Sequence, residues 1–398
     1  MCDTLCSVGP GGTLFAKNSN RPSSEVQLIQ AFGRRPPADR LRMQYATIPD
    51  TGAAALMGAH PEWLWGLEHG VNEHRVAIGN ERLFTKLNAN KAEASLIGMD
   101  LVRLGLERGR SADEALEAMT SLLEEVGQGG VCDQTTGESY FSSFMIADPR
   151  AAWVLETSGR SWAAQPVDGS AAISNRITIR TEWTRASADV DAGSDFDEYR
   201  HPGAPTGHAD VRLAASRACL NRAGENLTAT DLAAHLRDHG AGRWGTPGRD
   251  EPAQPPPEGF SLDGDGATVC WHVRGFQNTT SSMIVELPAD ADAPVRGWVA
   301  AGNPCVSVYV PVFPPNRVPT RLADPAVWRQ FAELRSRVEA DGSALEEVRS
   351  VFGPLEGELW AEADDVASKP ERHAEFVEGS WERVVAALDV VLKQTGIR

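Results

Sequence analysis

Hydrophobic and polar residues alternate along the first part of the chain in the way expected of short β-strands. The alternation predicts strands over residues 2–8 and 13–17, and the glycine-rich residues 9–12 between them predict a tight turn. Two further strands are predicted over residues 26–31 and 42–48. The chain is therefore expected to open with a β-hairpin that belongs to a larger sheet.

The hydrophobic period changes to that of an α-helix between residues 91 and 126. Apolar side chains recur at helical spacing, at Ala94, Ile97, Leu101 and Leu104. Gly109 is a suitable residue to end this helix, and Ser111 with Glu114 forms a capping box that begins a second one. This segment therefore predicts a pair of helices inserted after the first strands.

Strand patterns return after residue 140 and again after residue 266, with two helices between them. Strands are predicted over 141–147, 152–156, 162–167, 171–179, 267–273, 281–287, 296–301 and 306–310, and helices over 209–223 and 228–239. From residue 325 the pattern is helical and ends in an amphipathic segment near 377–393. This order predicts a layered α+β fold, with a core domain over residues 2–320 and a helical C-terminal extension over 321–398 packed on the same core.

Composition excludes several classes of partner. The chain has 398 residues and carries 55 acidic against 38 basic side chains, a formal charge of −17, so that phosphate backbones are repelled and nucleic acid is not an expected partner. No apolar run reaches the roughly 18 residues of a membrane span, and no secretory signal is recognisable. A cytoplasmic protein without a cofactor is expected, and association into a homo-oligomer stays open.

The six cysteines separate into one unusual residue and five ordinary ones. They are too sparse for a disulfide framework, and the absence of a C-x-x-C pair argues against a zinc ribbon. If Met1 is removed, Cys2 becomes the first residue and carries both a thiol and a free α-amine. That amine can take the thiol proton and make the thiolate that attacks a carbonyl. The remaining cysteines are interpreted as core thiols: Cys6, Cys132, Cys219, Cys270 and Cys305.

The residues around Cys2 also carry a family resemblance. C-D-T at residues 2–4 and F-A-K-N-S-N-R-P at residues 15–22 resemble the start of the secernin and cysteine-dipeptidase family, which belongs to the N-terminal-nucleophile hydrolases. Similar blocks follow at residues 65–74, 77–81, 152–157, 173–176, 269–272, 279–283 and 302–305. The resemblance implies a four-layer αββα sandwich, in which two antiparallel sheets stack and the nucleophile lies at a strand end between them.

The resemblance also implies roles for individual residues. Cys2 matches the nucleophile, with its own amine as the base. Lys17 occupies the position at which bile-salt hydrolases and penicillin acylases carry an arginine, and Asn20 the position at which many dipeptidases have an aspartate that holds the amine. Asn175 is the candidate donor to the oxyanion, and Asn80 is a second candidate.

Further site residues are predicted around this centre. Arg217 is matched to an active-site arginine of the wider superfamily. Residues expected to contact the substrate are Arg21, Glu68 and Trp244. A metal cluster near His69 and His74 is not predicted, because these histidines are five residues apart and lack the H-E-x-x-H pattern.

Together these features predict an amide hydrolase that acts through an acyl-enzyme at Cys2 after removal of Met1, most simply a dipeptidase acting on small peptides. One alternative keeps the same chemistry in an N-acyl amidase or an acyltransferase. Another is a non-catalytic regulatory protein, since some secernins are associated with exocytosis rather than with a settled peptidase activity.

Overall fold

The computed structural model describes residues 1–240, 267–273, 276–315 and 318–396. The strands are β1 Asp3–Gly9, β2 Gly12–Pro22, β3 Gln27–Phe32, β4 Ala38–Arg42, β5 Thr47–Asp50, β6 Leu56–Pro61, β7 His69–Asn72, β8 Ala77–Leu83, β9 Phe141–Ala147, β10 Ala152–Ser158, β11 Ser161–Pro166, β12 Ser170–Ile173, β13 Arg185–Ala186, β14 His272–Val273, β15 Gln277–Pro288, β16 Arg296–Ala301 and β17 Val310–Val312. The α-helices are α1 Gly98–Arg108, α2 Ala112–Val126, α3 Thr206–Ala223, α4 Ala229–Leu236, α5 Pro325–Ala340, α6 Ala344–Val366 and α7 Pro370–Gln394.

The strands form two large antiparallel sheets. The first has the order β12-β1-β2-β15-β16-β17, with β14 also paired to β15, and the second has the order β13-β11-β10-β9-β8-β7-β6-β3. Residues such as Phe15 and Met145 form a hydrophobic cluster between them. Helices α1 and α2 cover the outer face of the second sheet, and α3 and α4 cover the outer face of the first. This is the predicted four-layer αββα sandwich, and the predicted fold class is confirmed.

Strand alternation in β1 sends neighbouring side chains to different layers. Leu5 points outward to the cluster under α3 and α4, while Cys6 points inward to the cluster between the sheets. The hairpin to β2 closes tightly at Gly12, where φ is 132° and a Cβ atom would lie 2.2 Å from the carbonyl oxygen of Leu287. Glycine is therefore required at this turn, and the hairpin is held in register at its far end.

Several predicted elements need correction. Residues 42–48 are not one strand, because a turn at 43–46 separates β4 from β5. Of the strand predicted over 267–273, only His272–Val273 is extended and paired. The strand predicted over 306–310 is replaced by a 3₁₀ turn at Pro304–Val306, followed by the short β17.

Four strands were not predicted at all: the two-residue strand β13, and β6, β7 and β8. Every residue of β6 and β7 is buried, and so is all of β8 except one partly exposed position. They lie between the helix layer and the other sheet, so both faces are covered and the apolar–polar alternation that signals a strand is absent.

The predicted helix pair is confirmed, with α1 ending at Arg108 and α2 beginning at Ala112. The Ser111 hydroxyl accepts a hydrogen bond from the Glu114 N–H at 3.2 Å, as the capping signal predicts. The Glu114 carboxylate, however, accepts from the main chain of Arg110 rather than from that of Ser111.

The C-terminal helices pack on the sandwich. Helix α5 contacts β3, whereas α6 and α7 contact β17. Phe331, Phe352 and Trp381 from these helices belong to the same hydrophobic cluster as the residues between the sheets. Among the described residues, no helix combines the length and apolar character needed to cross a membrane.

Candidate active site

Cys2 lies immediately before β1 and is 5 % exposed. Its main-chain N–H donates to Oδ1 of Asn175 at 2.7 Å, and its Sγ accepts from the main-chain N–H of Asn20 at 3.3 Å. The next residues alternate: Asp3 contacts helix α3, and Thr4 points between the sheets to donate to Glu81. Cys2 is therefore held at a strand end by β2, which contacts its thiol, and by the loop after β12, which contacts its nitrogen.

Arg212 of α3 organises the main chain around Cys2. Its guanidinium is completely buried; Nη1 donates to Oδ2 of Asp3 at 2.5 Å and to the carbonyl oxygen of Cys2 at 3.0 Å, and Nη2 donates to Oδ1 of Asn175 at 3.0 Å. Ser174 donates to the other oxygen of Asp3 at 2.8 Å. Burial makes this ion pair sensitive to the loss of either partner.

The side-chain amide of Asn175 has a defined orientation. Two donors, the N–H of Cys2 and the guanidinium of Arg212, face its oxygen, while its nitrogen donates to the carbonyl oxygen of Arg82 at 3.1 Å. The network thus distinguishes the oxygen from the nitrogen. The carbonyl group, rather than the predicted N–H, faces Cys2, and Asn175 here accepts from the nucleophile's nitrogen.

Lys17 of β2 extends between the sheets toward the thiol. A Cβ atom on Gly79 of β8 would lie 2.5 Å from Cδ of Lys17, so the lysine stem passes directly over this glycine. Its Nζ lies 4.0 Å from Oε2 of Glu68. Burial alone would lower the pKa of Lys17, but the negative charges of Cys2, Glu81 and Glu68 outweigh that effect and raise it. Lys17 is therefore a buried cation beside the thiol.

Glu81 of β8 is a buried titratable group close to Lys17. Burial raises the pKa of its carboxyl to about 8, although the cation of Lys17 and the hydrogen bond from Thr4 oppose the shift. At neutral pH this carboxyl holds its proton for most of the time, so Lys17 is not fully neutralised by it.

Asn20 contacts the first residues mainly through its backbone. The terminal amine of Met1 donates to the Asn20 carbonyl oxygen at 3.3 Å and to Oε1 of Gln277 at 2.8 Å. The side-chain oxygen of Asn20 instead accepts from Thr279 at 2.8 Å, and its Nδ2 is buried with no acceptor among the described residues. Burial lowers the pKa of the Met1 amine to about 6; Cys2 opposes this shift and nearby arginines add to it.

Asn80 and Arg217 lie away from the thiol, contrary to expectation. The Asn80 side chain points to the α1 layer, with Nδ2 3.4 Å from Sδ of Met99, and its main-chain N–H donates to the Glu68 carbonyl oxygen. Arg217 is exposed on α3. Residues 212 and 217 are five positions apart on this helix and so occupy different faces, which is why the buried arginine is Arg212.

Arg21 and Glu68 are held within the protein rather than presented to solvent. Arg21 donates to both oxygens of Glu25 at 2.6 and 3.1 Å, and also to the Tyr140 hydroxyl and the Cys132 carbonyl oxygen. Glu68 is 1 % exposed and accepts from Ser19. Both side chains are therefore used in contacts within the protein. Trp244, the third residue expected to contact the substrate, lies outside the described residues.

A cleft of about 720 Å³ opens beside the first residue. Its lining includes Met1, Arg82, Phe84, Tyr140 and Gln277. Arg82 pairs with Glu138 at 2.6 Å and lies over the Phe84 ring at 4.5 Å. Met1 belongs to a small hydrophobic cluster with Trp271 and Val273 and also contributes to the wall of the cleft.

A sequence model of peptidase family C69 matches residues 36–200 of the chain. This segment belongs to peptidase family C69. The resemblance to the cysteine-dipeptidase family is therefore confirmed, and a cysteine-type hydrolase of peptide or amide bonds is supported. The match contains Glu68, Asn80 and Asn175 and begins after Cys2 and Lys17.

The solved structures that resemble this chain have low sequence identity to it. A mutant of conjugated bile acid hydrolase from Clostridium perfringens is 12 % identical, with 75 % of this chain and 88 % of that chain covered and a TM-score of 0.43. The Caenorhabditis elegans ortholog of N-acylethanolamine-hydrolyzing acid amidase is 9 % identical, with 73 % and 94 % covered and a TM-score of 0.41. Penicillin V acylase from Agrobacterium tumefaciens is 11 % identical, with 79 % and 86 % covered and a TM-score of 0.38.

Sequence reasoning did not find Arg212, although the sequence contains a signal for it. The buried positions of α3 recur at helical spacing: Ala209, Arg212, Leu213, Ser216, Cys219 and Leu220. A charged residue within an apolar stripe needs a buried partner. Asp3 is that partner, and the two are far apart in sequence, so only the fold brings them together.

Proposed function

We propose that this protein is a cysteine N-terminal-nucleophile dipeptidase in which Cys2 becomes the nucleophile after removal of Met1. The observation that carries the proposal is the pair of acceptors beside the thiol. Gln277 and the Asn20 carbonyl oxygen already bind the amine of Met1, at 2.8 and 3.3 Å. Once Met1 is gone, the same two acceptors are available to the free amino terminus of a substrate.

Removal of Met1 would also create the base. The nitrogen of Cys2 is already held by Oδ1 of Asn175, so the new amine starts in a fixed position within its own thiol's reach. Cys2 is itself buried, and burial disfavours the charged form of an amine, so that a neutral amine at this position could accept a proton. Asn175 therefore takes the amine-holding role that the family resemblance gave to Asn20.

The proposed reaction has two halves. The α-amine takes the thiol proton, the thiolate forms a C–S bond to the substrate carbonyl carbon, and the C–N bond then breaks as the α-ammonium protonates the leaving amine. In the second half the amine takes a proton from water, the resulting hydroxide forms the C–O bond, and the C–S bond breaks to return the thiolate. Lys17 stabilises the thiolate in both halves, because its cation is buried next to the sulfur.

The oxyanion needs a donor that is not already used. Asn20 offers one, because its Nδ2 is buried and has no acceptor within the described part of the chain. One such donor is typically worth about 2.7–4 kcal/mol in the transition state. Asn20→Asp is the matched variant, since it keeps the size and the oxygen that binds Thr279 but removes the donor.

The cleft fits a dipeptide. Its volume of about 720 Å³ lies within the range of small-molecule sites. The guanidinium of Arg82 lies in its wall and can pair with a terminal carboxylate, while Phe84 and Tyr140 offer apolar surface to a side chain. A free amino terminus at Gln277 and a carboxylate at Arg82 would together select short peptides.

The first experiment tests the nucleophile. Intact mass should show the loss of Met1, and a thiol-reactive acyl probe should label Cys2 in the purified protein. Cys2→Ala should abolish both labelling and dipeptide hydrolysis, whereas Cys219→Ser, at a buried cysteine of α3 with no contact to the site, should leave both intact. Full hydrolysis by Cys2→Ala would refute the mechanism.

The second experiment tests the substrate class. Dipeptides with free amino termini should be cleaved in preference to their N-acetylated forms, and Gln277→Leu should raise KM for the former by about two- to tenfold through loss of one hydrogen bond. Equal cleavage of both forms by the native protein would instead indicate an N-acyl amidase.

A further inference from the structure

Four potential metal ligands meet in the interior, and they are not among the residues that line the cleft. They are His239, Cys270, His272 and Cys305, and their nearest ligand atoms all lie within 4.8 Å of one another. Cys270 and His272 are completely buried and Cys305 is 3 % exposed, while His239 is partly buried. His239 follows α4, Cys270 precedes β14, His272 is the first residue of β14 and Cys305 lies in the 3₁₀ turn after β16.

The spacing of these atoms suits a tetrahedral metal. Nε2 of His272 lies 3.4 Å from Sγ of Cys270 and 3.3 Å from Sγ of Cys305. In a tetrahedral zinc site, a Zn–S bond of about 2.3 Å and a Zn–N bond of about 2.0–2.1 Å place sulfur and nitrogen about 3.6 Å apart. The observed separations therefore need only small adjustments to enclose the ion.

His272 also has the outer contact that zinc-binding histidines make. Its Nδ1 lies 2.9 Å from Oε1 of Glu339 on α5, which leaves Nε2 directed at the two sulfurs. Asn278 donates to the same carboxylate oxygen at 2.7 Å and holds it in place. A carboxylate bound to the far nitrogen fixes the ring orientation and raises the basicity of the ligating nitrogen.

We propose that His239, Cys270, His272 and Cys305 form a structural zinc site. Two thiolates and two imidazoles match the ligand preference of zinc and disfavour magnesium or calcium. Four protein ligands complete a tetrahedron and leave no position for water, so the ion is structural rather than catalytic. This inference stands independently of the proposed peptidase activity.

The site has a clear structural task. Trp271 lies between Cys270 and His272 in the sequence, and the guanidinium of Arg212 lies 4.9 Å from the centre of its ring. The main-chain N–H of Trp271 donates to the Thr279 hydroxyl, and its carbonyl oxygen accepts from the Asn303 side chain. Arg212 in turn binds the carbonyl oxygen of Cys2. Zinc would therefore fix the segment against which the arginine behind Cys2 packs.

The experiment is metal analysis of the full chain. Protein expressed with added zinc and passed through a mild chelator should retain one zinc ion per chain. Cobalt(II) added to stripped protein should give the visible bands of a tetrahedral ion together with thiolate charge transfer. Cys270→Ser and Cys305→Ser should lose the ion, and Cys219→Ser should keep it. Zinc well below one per chain in the native protein, or a Cys270–Cys305 disulfide in non-reducing peptide mapping, would overturn the proposal.

A gentler variant separates metal binding from folding failure. Glu339→Gln keeps the shape of the outer contact but removes its charge, and should weaken zinc binding by roughly 10- to 100-fold in competition with a chromophoric chelator. Unchanged zinc affinity in a folded Glu339→Gln protein would contradict the assignment of His272 as a ligand.

Discussion

Replacement of Arg212 by methionine tests the organisation of the nucleophile directly. The guanidinium makes hydrogen bonds to Asp3, to the carbonyl oxygen of Cys2 and to Asn175, and its exposure is zero. Methionine has a similar length and fills the space, but it leaves the Asp3 carboxylate buried with Ser174 as its one remaining side-chain donor among the described residues. The expected effect therefore arises from an uncompensated charge rather than from a cavity.

The magnitude follows from the burial of the ion pair. Removing one partner of a buried pair typically costs about 3–5 kcal/mol, which is a large part of the roughly 5–15 kcal/mol that stabilises a folded domain. Arg217→Met is the matched control, because this arginine lies on the same helix but is exposed, and a change within about 0.5 kcal/mol is expected.

Urea denaturation followed by far-ultraviolet circular dichroism measures both variants. A double-mutant cycle with Asp3→Asn should show a coupling energy of about 0.5–3 kcal/mol between the two side chains. A cost below about 1 kcal/mol for Arg212→Met, as for an exposed ion pair, would refute the reasoning. An equal cost for Arg217→Met would show that the helix, rather than the buried pair, is responsible.

Three further predictions concern the space between the sheets. The pKa of Glu81 rises from 4.5 to about 8 on folding, so the folded chain holds this proton more tightly and stability should fall as pH rises between these values, by up to about 5 kcal/mol. Glu81→Gln should flatten that dependence in urea titrations at several pH values, and an unchanged slope would contradict the assignment. Gly79→Ala should cost about 1–3 kcal/mol because its Cβ would meet the Lys17 stem, whereas Gly357→Ala, at an open helical position, should cost nothing in the same assay. Lys17→Met should slow alkylation of Cys2 at neutral pH about tenfold or more, as followed by peptide mass spectrometry; an unaltered rate would remove the thiolate-stabilising role.

Local sequence signals were enough to predict the opening hairpin and the α1–α2 pair, but not the whole fold. Helix α2 has buried and exposed positions at helical spacing and begins after the capping residue Ser111, and both features are visible in the sequence. The opening hairpin is recognisable from the glycine-rich turn at residues 9–12, although most of its residues are buried. Strands β6 to β8 are covered on both faces, so they carry no such period. The αββα arrangement itself came from the family resemblance rather than from periodicity.

The residues of the candidate site also differ in how far the sequence predicts them. Cys2 is recognisable because its position next to Met1 is itself the signal. The orientation of the Asn175 amide depends on Arg212, which is distant in sequence, and could not be foreseen from a motif. Cys270 and Cys305 were interpreted as packing thiols, because their spacing matches no zinc signature and only folding brings them to His272.

The passage of Lys17 over Gly79 has a mechanical consequence for the whole sandwich. One residue belongs to the first sheet and the other to the second, and a Cβ at residue 79 would lie 2.5 Å from the lysine stem. Apolar side chains interdigitate between the sheets, and a long side chain that lies over a glycine of the opposite sheet adds one more fixed point to this packing. The lysine stem that brings the positive charge to the thiol therefore also helps to align the two sheets. A shift of one sheet against the other would move this charge and change the reactivity of Cys2.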